Sequence, residues 1–414
     1  MKNIAHIAII AAGVTPCLQA SDLISDSTAQ LQARNFYFDR DFRSGAGQSQ
    51  AQEWAQGFIL NFASGYTPGD IGFGVDGLAM LGIKLDSGPG RTGTGILSYD
   101  PSSREVNDEY SKWGVTAKAK FSKTELRFGT MQPAMPIALA NTMRLFPPLL
   151  DGIYLRSQEL DGLTFHAARF NKITLRDSTN RDDFYVSGAN KRFNTTATTD
   201  ELSIVGADYR WSDRTTTRYY HAQLPNLYSQ DYFDLVNFLP IGASKLKSDI
   251  RLFDSREDGQ RRAGTVDNQT LSSMFTFQTG IHSLGVGYMK LWGDSALPYV
   301  GGTSVNVNSE GLLVSDFVNT KESTWQLRYD YDFVAAGVPG LKFMWRYLKG
   351  RDAEVQGFIG GSEENERDIE LSYAFQGKTF NGLGLRIRQA DYKSDFARDA
   401  NELRINVDYT FKLW

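Results

Sequence analysis

The sequence predicts an all-β fold, a closed antiparallel barrel of about 18 strands that crosses a membrane. Three observations carry that prediction. Hydrophobicity repeats at every second residue, the connections between repeating segments fall into short and long kinds, and no apolar run outside the amino-terminus is long enough for a spanning helix. The carboxy end is the clearest segment: Leu403, Ile405, Val407, Tyr409, Phe411 and Leu413 are apolar, while Arg404, Asn406, Asp408, Thr410 and Lys412 between them are polar. Successive side chains of a strand point to opposite faces, so this segment has one face for hydrocarbon and one for water. About 9–11 residues of strand cross a bilayer at a tilt. Trp414 then reads as an interface anchor on the periplasmic side.

Composition fits. The 414 residues carry 44 Lys+Arg and 48 Asp+Glu, a formal net charge of -4, and mean hydropathy is -0.36. A helical membrane protein is excluded by that hydropathy, but a barrel is not, because alternating strands average out as hydrophilic. Aromatic residues at 13% and 39 glycines favour the barrel, and the near-neutral charge gives no reason to propose nucleic acid. Residues 1–20 read as a cleaved signal peptide, with a basic start at Lys2, an apolar stretch from Ile4 to Val14 and a small residue at Ala20. The only cysteine, Cys17, lies within it, and Thr15-Pro16 before it does not match a lipobox. The mature chain, 21–414, would hold together without disulfides through a closed hydrogen-bonded ladder.

The strands follow in order. The first, 30–38, sets Leu31 and Ala33 against Gln30, Gln32 and Arg34; 54–63 and 71–85 follow, joined by the Gly- and Pro-containing turn at 64–69. In 112–121, Trp113, Val115, Ala117, Ala119 and Phe121 oppose Thr116, Lys118 and Lys120. A short turn leads to 125–130, where Leu126 and Phe128 oppose Glu125 and Arg127. Weaker alternation marks 152–158, 163–171, 200–212, 214–223, 227–238, 246–253, 270–278 and 283–291. It sharpens again at 325–333, 341–347, 369–375, 383–388 and 403–413. Short connections fall near 64–70, 122–124, 158–163, 212–214, 278–283, 334–341 and 376–382. Long ones fall near 39–52, 86–108, 131–151, 171–199, 254–269, 292–321, 349–366 and 391–401. Short periplasmic turns against long outer loops are the pattern of an outer-membrane barrel. No large amino-terminal domain precedes the strands, which argues against a plugged, energy-coupled transporter.

One long connection differs in chemistry. Residues 131–151 are apolar and proline-rich, so the segment is expected inside the barrel, narrowing it; packing on a neighbouring subunit is the alternative. The lumen-facing basic residues attract the most interest. Arg386 and Arg388 lie two apart on one strand, roughly 7 Å from one another. A hairpin centred near Phe396 brings Arg404 beside Arg388. Like charges across a ladder are destabilising, so the patch calls for an explanation. Arg328 and Arg346 form a similar pair, Lys118, Lys120 and Arg127 line the early hairpin, and Arg34 sits on the strand that closes against the last. A planar guanidinium fork suits a carboxylate, and a row of weak sites would pass an anion along. The structural alternative pairs these residues with Glu402, Asp330, Asp332, Asp408 and Glu370. His166, His221 and His282 lack the spacing of a metal site, and no G-x-S-x-G motif occurs. Neither cofactor nor enzymatic activity is expected.

Several stretches together resemble the OprD family of substrate-specific outer-membrane porins of Gram-negative bacteria. They are A-R-N-F-Y-F-D-R-D (33–41), W-A-Q-G-F (54–58), M-Q-P (131–133), R-L-F-P (144–147), G-V-P-G-L-K-F-M-W-R-Y (337–347), R-I-R-Q-A (386–390) and E-L-R-I-N-V-D-Y (402–409). The 134–143 segment and the closing Leu413-Trp414 depart from the family's wording. The resemblance implies an outer-membrane location, a pore often found as a loose trimer, an inward third loop and a basic ladder. That ladder includes Arg386, Arg388, Arg404, Arg34 and, through the resemblance alone, Arg144. The expected function is passive, selective passage of small carboxylates such as amino acids, short peptides or aromatic acids. Outer-membrane lipid, lipopolysaccharide and the barrel-assembly machinery, engaged through the last strand, are the expected partners. A sugar or chito-oligosaccharide pore with Tyr154 or Trp292 as stacking rails is one alternative; a rim hydrolase or adhesin acting through 171–199 and 292–321 is another.

Overall fold

The structure, a computed structural model, describes residues 20–414 except 101, 104, 133, 310, 359 and 360. The expected signal peptide, Cys17 included, lies outside the described residues apart from Ala20, which opens a short helix, Ala20–Ser25.

Eighteen strands form one antiparallel sheet closed on itself. They are β1 (Thr28–Phe42), β2 (Gln50–Ala63), β3 (Ile71–Asp86), β4 (Glu109–Phe121), β5 (Thr124–Met131) and β6 (Leu149–Ser157). Next come β7 (Leu163–Thr174), β8 (Leu202–Ser212), β9 (Thr215–Leu224), β10 (Tyr228–Ile241), β11 (Ser244–Glu257) and β12 (Asp267–Thr279). The last are β13 (His282–Gly293), β14 (Ser323–Asp332), β15 (Leu341–Ala353), β16 (Ser362–Ala374), β17 (Leu383–Ser394) and β18 (Ala400–Lys412). β1 pairs with β18 to close the barrel, with Arg34 opposite Asp408 and Phe38 opposite Arg404. Beyond β18 the Trp414 indole donates to Ser27 Oγ at 2.9 Å.

Alternation sorts side chains between two solvents. On β4, Tyr110, Lys112, Thr116 and Lys118 are buried inward, while Trp113 and Val115 stay exposed on the hydrocarbon face. Every expected segment carries a strand, but several strands run further toward the loop rim; β16 begins at Ser362 rather than 369. There the outward positions become Glu363, Asn365 and Arg367, so the apolar half of the pattern ends while the backbone ladder continues. The alternation of short and long connections is also imperfect. On the loop rim β9 and β10 are joined by 225–227 alone, and the tight turn 242–243 escapes the pattern.

Two loops turn into the lumen, and part of a third, residues 184–193, packs on them there, with Val186 bridged to Val300. Residues 132–148 do so as expected from their apolar sequence. Residues 294–322, expected to be a long outer loop, do so as well, which is a correction. Ala134–Met135, Ala138–Ala140 and Thr303–Ser304 form a small three-stranded ribbon between the two loops. The main apolar core lies within the barrel: Ile137, Phe184, Val186, Val300, Val305 and Phe317 pack together there. A second cluster sets Leu145, Phe146 and Leu149 against Phe36, Phe38 and Ile96. Fully burying each such side chain contributes about 1.5–3 kcal/mol, so the loops are packed rather than draped.

Gly129 on β5 has φ +135, and a Cβ there would lie 2.1 Å from the Val115 carbonyl oxygen. Gly129→Ala is expected to destabilise the barrel by about 1–3 kcal/mol, read as a lower temperature for the heat-dependent gel shift of the folded protein. At Gly77 an added Cβ would meet no atom within 4 Å, so Gly77→Ala should leave that temperature nearly unchanged.

Candidate functional site

The inward loops divide the lumen into two cavities. The outer one, about 460 Å³, is lined by Arg40, Arg144, Arg192 and Arg398 together with Asp316, Tyr299 and Tyr392. The inner one, about 1180 Å³, opens along β10–β17 and is lined by Lys245, Lys247, Arg251, Arg328, Arg346, Arg386 and Arg388, with Asp249, Asp330 and Glu370 among them. Among the described residues, Met143 and Gly311 line both cavities. One comes from each inward loop, so the cavities meet between them.

Wall arginines hold this junction by its backbone carbonyls. Arg404 is fully buried, pairs with Glu402, and donates to Met143 O at 3.2 Å and Leu313 O at 2.5 Å. Arg40 reaches the same Leu313 O at 3.2 Å and also pairs with Glu402. Arg34 pairs with Asp408 at 2.6 Å and donates to Arg144 O at 3.1 Å and Leu145 O at 3.3 Å. Arg346 pairs with Asp368 at 2.7 Å and donates to Gly311 O at 2.6 Å.

An acidic row on β16 completes the clamp. Glu366 accepts the backbone N–H groups of Leu313 (2.8 Å), Val314 (3.1 Å) and Ser315 (2.8 Å). Glu364 accepts from Ser315 Oγ at 2.6 Å and Asn319 Nδ2 at 3.0 Å. Of this row only Glu370 was expected from the sequence. Its signal was present in S-E-E-N-E-R-D-I-E, where acids at 364, 366, 368 and 370 recur at the strand period.

The other predicted residues divide by location. Arg388 and Arg404 are direct partners across β17 and β18. Arg388 donates to Asn406 Oδ1 at 2.8 Å and to Met143 Sδ at 3.4 Å, and its Nε is buried without a hydrogen-bond partner. Arg386 is half-exposed, 3.3 Å from Glu370. Arg328, opposite Arg346, holds Asp330 through two bonds of 2.8 and 2.7 Å. Arg328, Arg346, Arg386 and Arg388 share the inner cavity; Arg404 is buried behind it. Lys118, Lys120 and Arg127 face the lumen on another wall and line neither cavity. Lys118 pairs with Asp76 at 2.6 Å, both lysines lie over Tyr66, and Arg127 pairs with Glu125. Tyr154 stacks on His166, and Trp292 points outward beside the buried Leu291.

Two loop side chains are shifted from their ordinary pKa values. Burial, with the neighbouring Arg404 and Arg176 guanidiniums, pushes Arg144 well below its own. Burial alone would raise the Asp316 carboxyl, but Arg192 at 2.7 Å outweighs it and holds Asp316 below the usual carboxylate range. Among the described residues, no three His, Cys, Asp or Glu side chains gather in a way that could hold a metal ion.

Comparison with known proteins agrees with the geometry. A family model described as outer membrane porin, OprD family, matches residues 21–413. The porin-like protein GalP of Pseudomonas putida is 34% identical over 401 residues, covering 95% of this chain and 94% of its own. Among solved structures, OccK9 (OpdG) of Pseudomonas aeruginosa superposes with a TM-score of 0.91 at 39% identity, covering 94% of this chain and 100% of its own. OpdK of Pseudomonas aeruginosa, solved with vanillate, gives a TM-score of 0.89 at 36% identity, covering 95% and 100%.

Glu366→Ala would leave three loop amides without their acceptor. Leaving a buried donor unsatisfied costs about 1–3 kcal/mol, and each 1.4 kcal/mol is about tenfold. Amide exchange at Leu313–Ser315 is therefore expected to quicken by roughly tenfold or more, with exchange in the β1–β18 ladder unchanged.

Proposed function

The chain belongs to the OprD family of outer membrane porins, and from that premise we propose that it is a passive channel selective for small solutes bearing a carboxylate. Its place is the outer membrane of a Gram-negative bacterium. Amino acids, short peptides and aromatic acids are the substrate classes in view, and the protein acts as a channel rather than an enzyme.

The observation that carries this reading is Arg388. Its side chain lies at the junction of the two cavities, against Met143, with no carboxylate in ion-pair contact among the described residues and with an orphaned Nε. A buried donor without a partner is costly, and a carboxylate passing the junction would relieve that cost in transit. Arg386 and Arg328 stand below it in the inner cavity, each already paired to an acid, Glu370 and Asp330. Paired guanidiniums exchange one carboxylate for another at little net cost, which suits release. Arg40, Arg144 and Arg398 in the outer cavity give an arriving anion its first attraction. Arg34, Arg346 and Arg404 contribute differently in this reading, by fixing the loops that shape the junction. That OpdK was solved with vanillate, itself a carboxylate, supports the substrate class.

Two measurements test the proposal in planar bilayers. Arg386→Ala with Arg388→Ala should lower benzoate flux by roughly tenfold, the size of one lost charge-assisted hydrogen bond, while the barrel stays folded; unchanged benzoate flux would sink the reading. Met143→Ala should raise single-channel conductance with the preference for anions retained, since it widens the junction without removing charge.

A further inference from the structure

The outward face of the barrel carries a charge asymmetry that channel function does not use. On β15, Arg346 and Leu348 point inward, so Lys349 and Arg351 point out. By the same alternation Arg367 on β16 and Lys393 on β17 point out, opposite Glu366 and Tyr392. Strand register places Lys349 beside Asn365, Asn365 beside Lys393, and Arg367 beside Tyr347 and Asp391. Lys290 on β13 lies on the same face, next to Ser323. These five bases sit within three residue levels of each other on neighbouring strands, about 4.8 Å apart per strand and so roughly 20 Å across. Three carboxylates share the patch: Glu363, paired with Lys349 and Arg351, Asp391, and Asp395, which accepts the Glu363 N–H at 3.0 Å. Arg367 and Lys393 are exposed and, among the described residues, have no ion pair.

Position gives the patch its meaning. Trp325 lies level with Lys349, and Leu327, Tyr347 and Val286 lie level with Arg367, all exposed on the hydrocarbon face. The bases therefore stand at the level where acyl chains end and headgroups begin, on the loop side. At the same level elsewhere on the outward face, acids balance the bases. Asp41 pairs with Arg43, Glu201 with Arg169 and Asp254 with Arg256, while Asp39, Glu109 and Asp267 add further negative charge. A clustered set of Lys and Arg at a membrane boundary attracts anionic headgroups. Arg is suited to bidentate phosphate binding.

We infer that the outward face of β13–β17 is a binding site for a phosphorylated acyl glycolipid of the outer leaflet, its phosphates on Arg351, Arg367, Lys349 and Lys393 and its chains on Trp325 and Leu327. The site holds lipid around the barrel and is independent of the lumen.

The test uses the full-length barrel in detergent micelles, titrated with bis-phosphorylated lipid A and read by native mass spectrometry. The triple variant Arg351→Gln, Arg367→Gln, Lys393→Gln should bind it at least about tenfold more weakly than the parent. Dephosphorylated lipid A should bind the parent as weakly as the variant binds the intact lipid. A control triple at other outward positions, Arg43→Gln, Arg169→Gln, Arg256→Gln, should bind like the parent. Benzoate conductance should be the same in all three proteins, which separates this site from the channel proposal. Equal lipid binding by parent and triple variant would overturn the inference. So would equal weakening by the control triple, or displacement of the lipid by inorganic phosphate at equal concentration.

Discussion

The junction in the lumen exists because guanidiniums fixed on strands reach carbonyls carried on loops. A loop that enters a water-filled barrel brings backbone groups that need partners, and water would serve them equally well anywhere. Arg34, Arg40, Arg346 and Arg404 supply partners at defined points instead, and Glu364 and Glu366 do the same for loop donors. Because the strands are rigid, Met143 and Gly311 inherit positions that their own loops could not set.

This arrangement also resolves the crowding of like charges on β17 and β18. Arg388 and Arg404 are direct neighbours, a costly pairing in isolation. Glu402 neutralises Arg404, loop carbonyls take its remaining donors, and the pair is left with a single guanidinium lacking an acid, that of Arg388. A buried ion pair is poor evidence for stability because desolvation can exceed its Coulombic gain. Here the pairing has another value, since it leaves the cationic character of the wall concentrated at one depth, against Met143.

The barrel was largely legible in the sequence, because period-two alternation is a local property and each strand displays it without help from its neighbours. The proximity of Arg388 and Arg404 was legible for a similar reason, since a hairpin of known centre fixes register. What remained hidden depended on the third dimension. Residues 294–322 contain G-G-T-S-V-N-V-N-S, polar and glycine-rich like any solvated loop, and their anchors lie on β16 and β18, far away in sequence. Alternation assigned Lys118, Lys120 and Arg127 to the lumen, but gives no position around the circumference; they stand on a different wall from Arg386. For Arg404, the pattern shows which face it occupies but not that two loops would cover it.

The clamp on Met143 to Leu145 draws on both ends of the chain. Arg34 lies on the first strand and Arg404 on the last, and the two strands become neighbours only when the barrel seam forms. These two anchors of the inward loop therefore come together only in the closed cylinder, beside others, such as Lys112 on Pro147 O, that do not span the seam. The complete clamp therefore belongs to the closed barrel alone. Two residues nearly four hundred positions apart thus act on one short stretch of loop, and the barrel seam is what makes them neighbours.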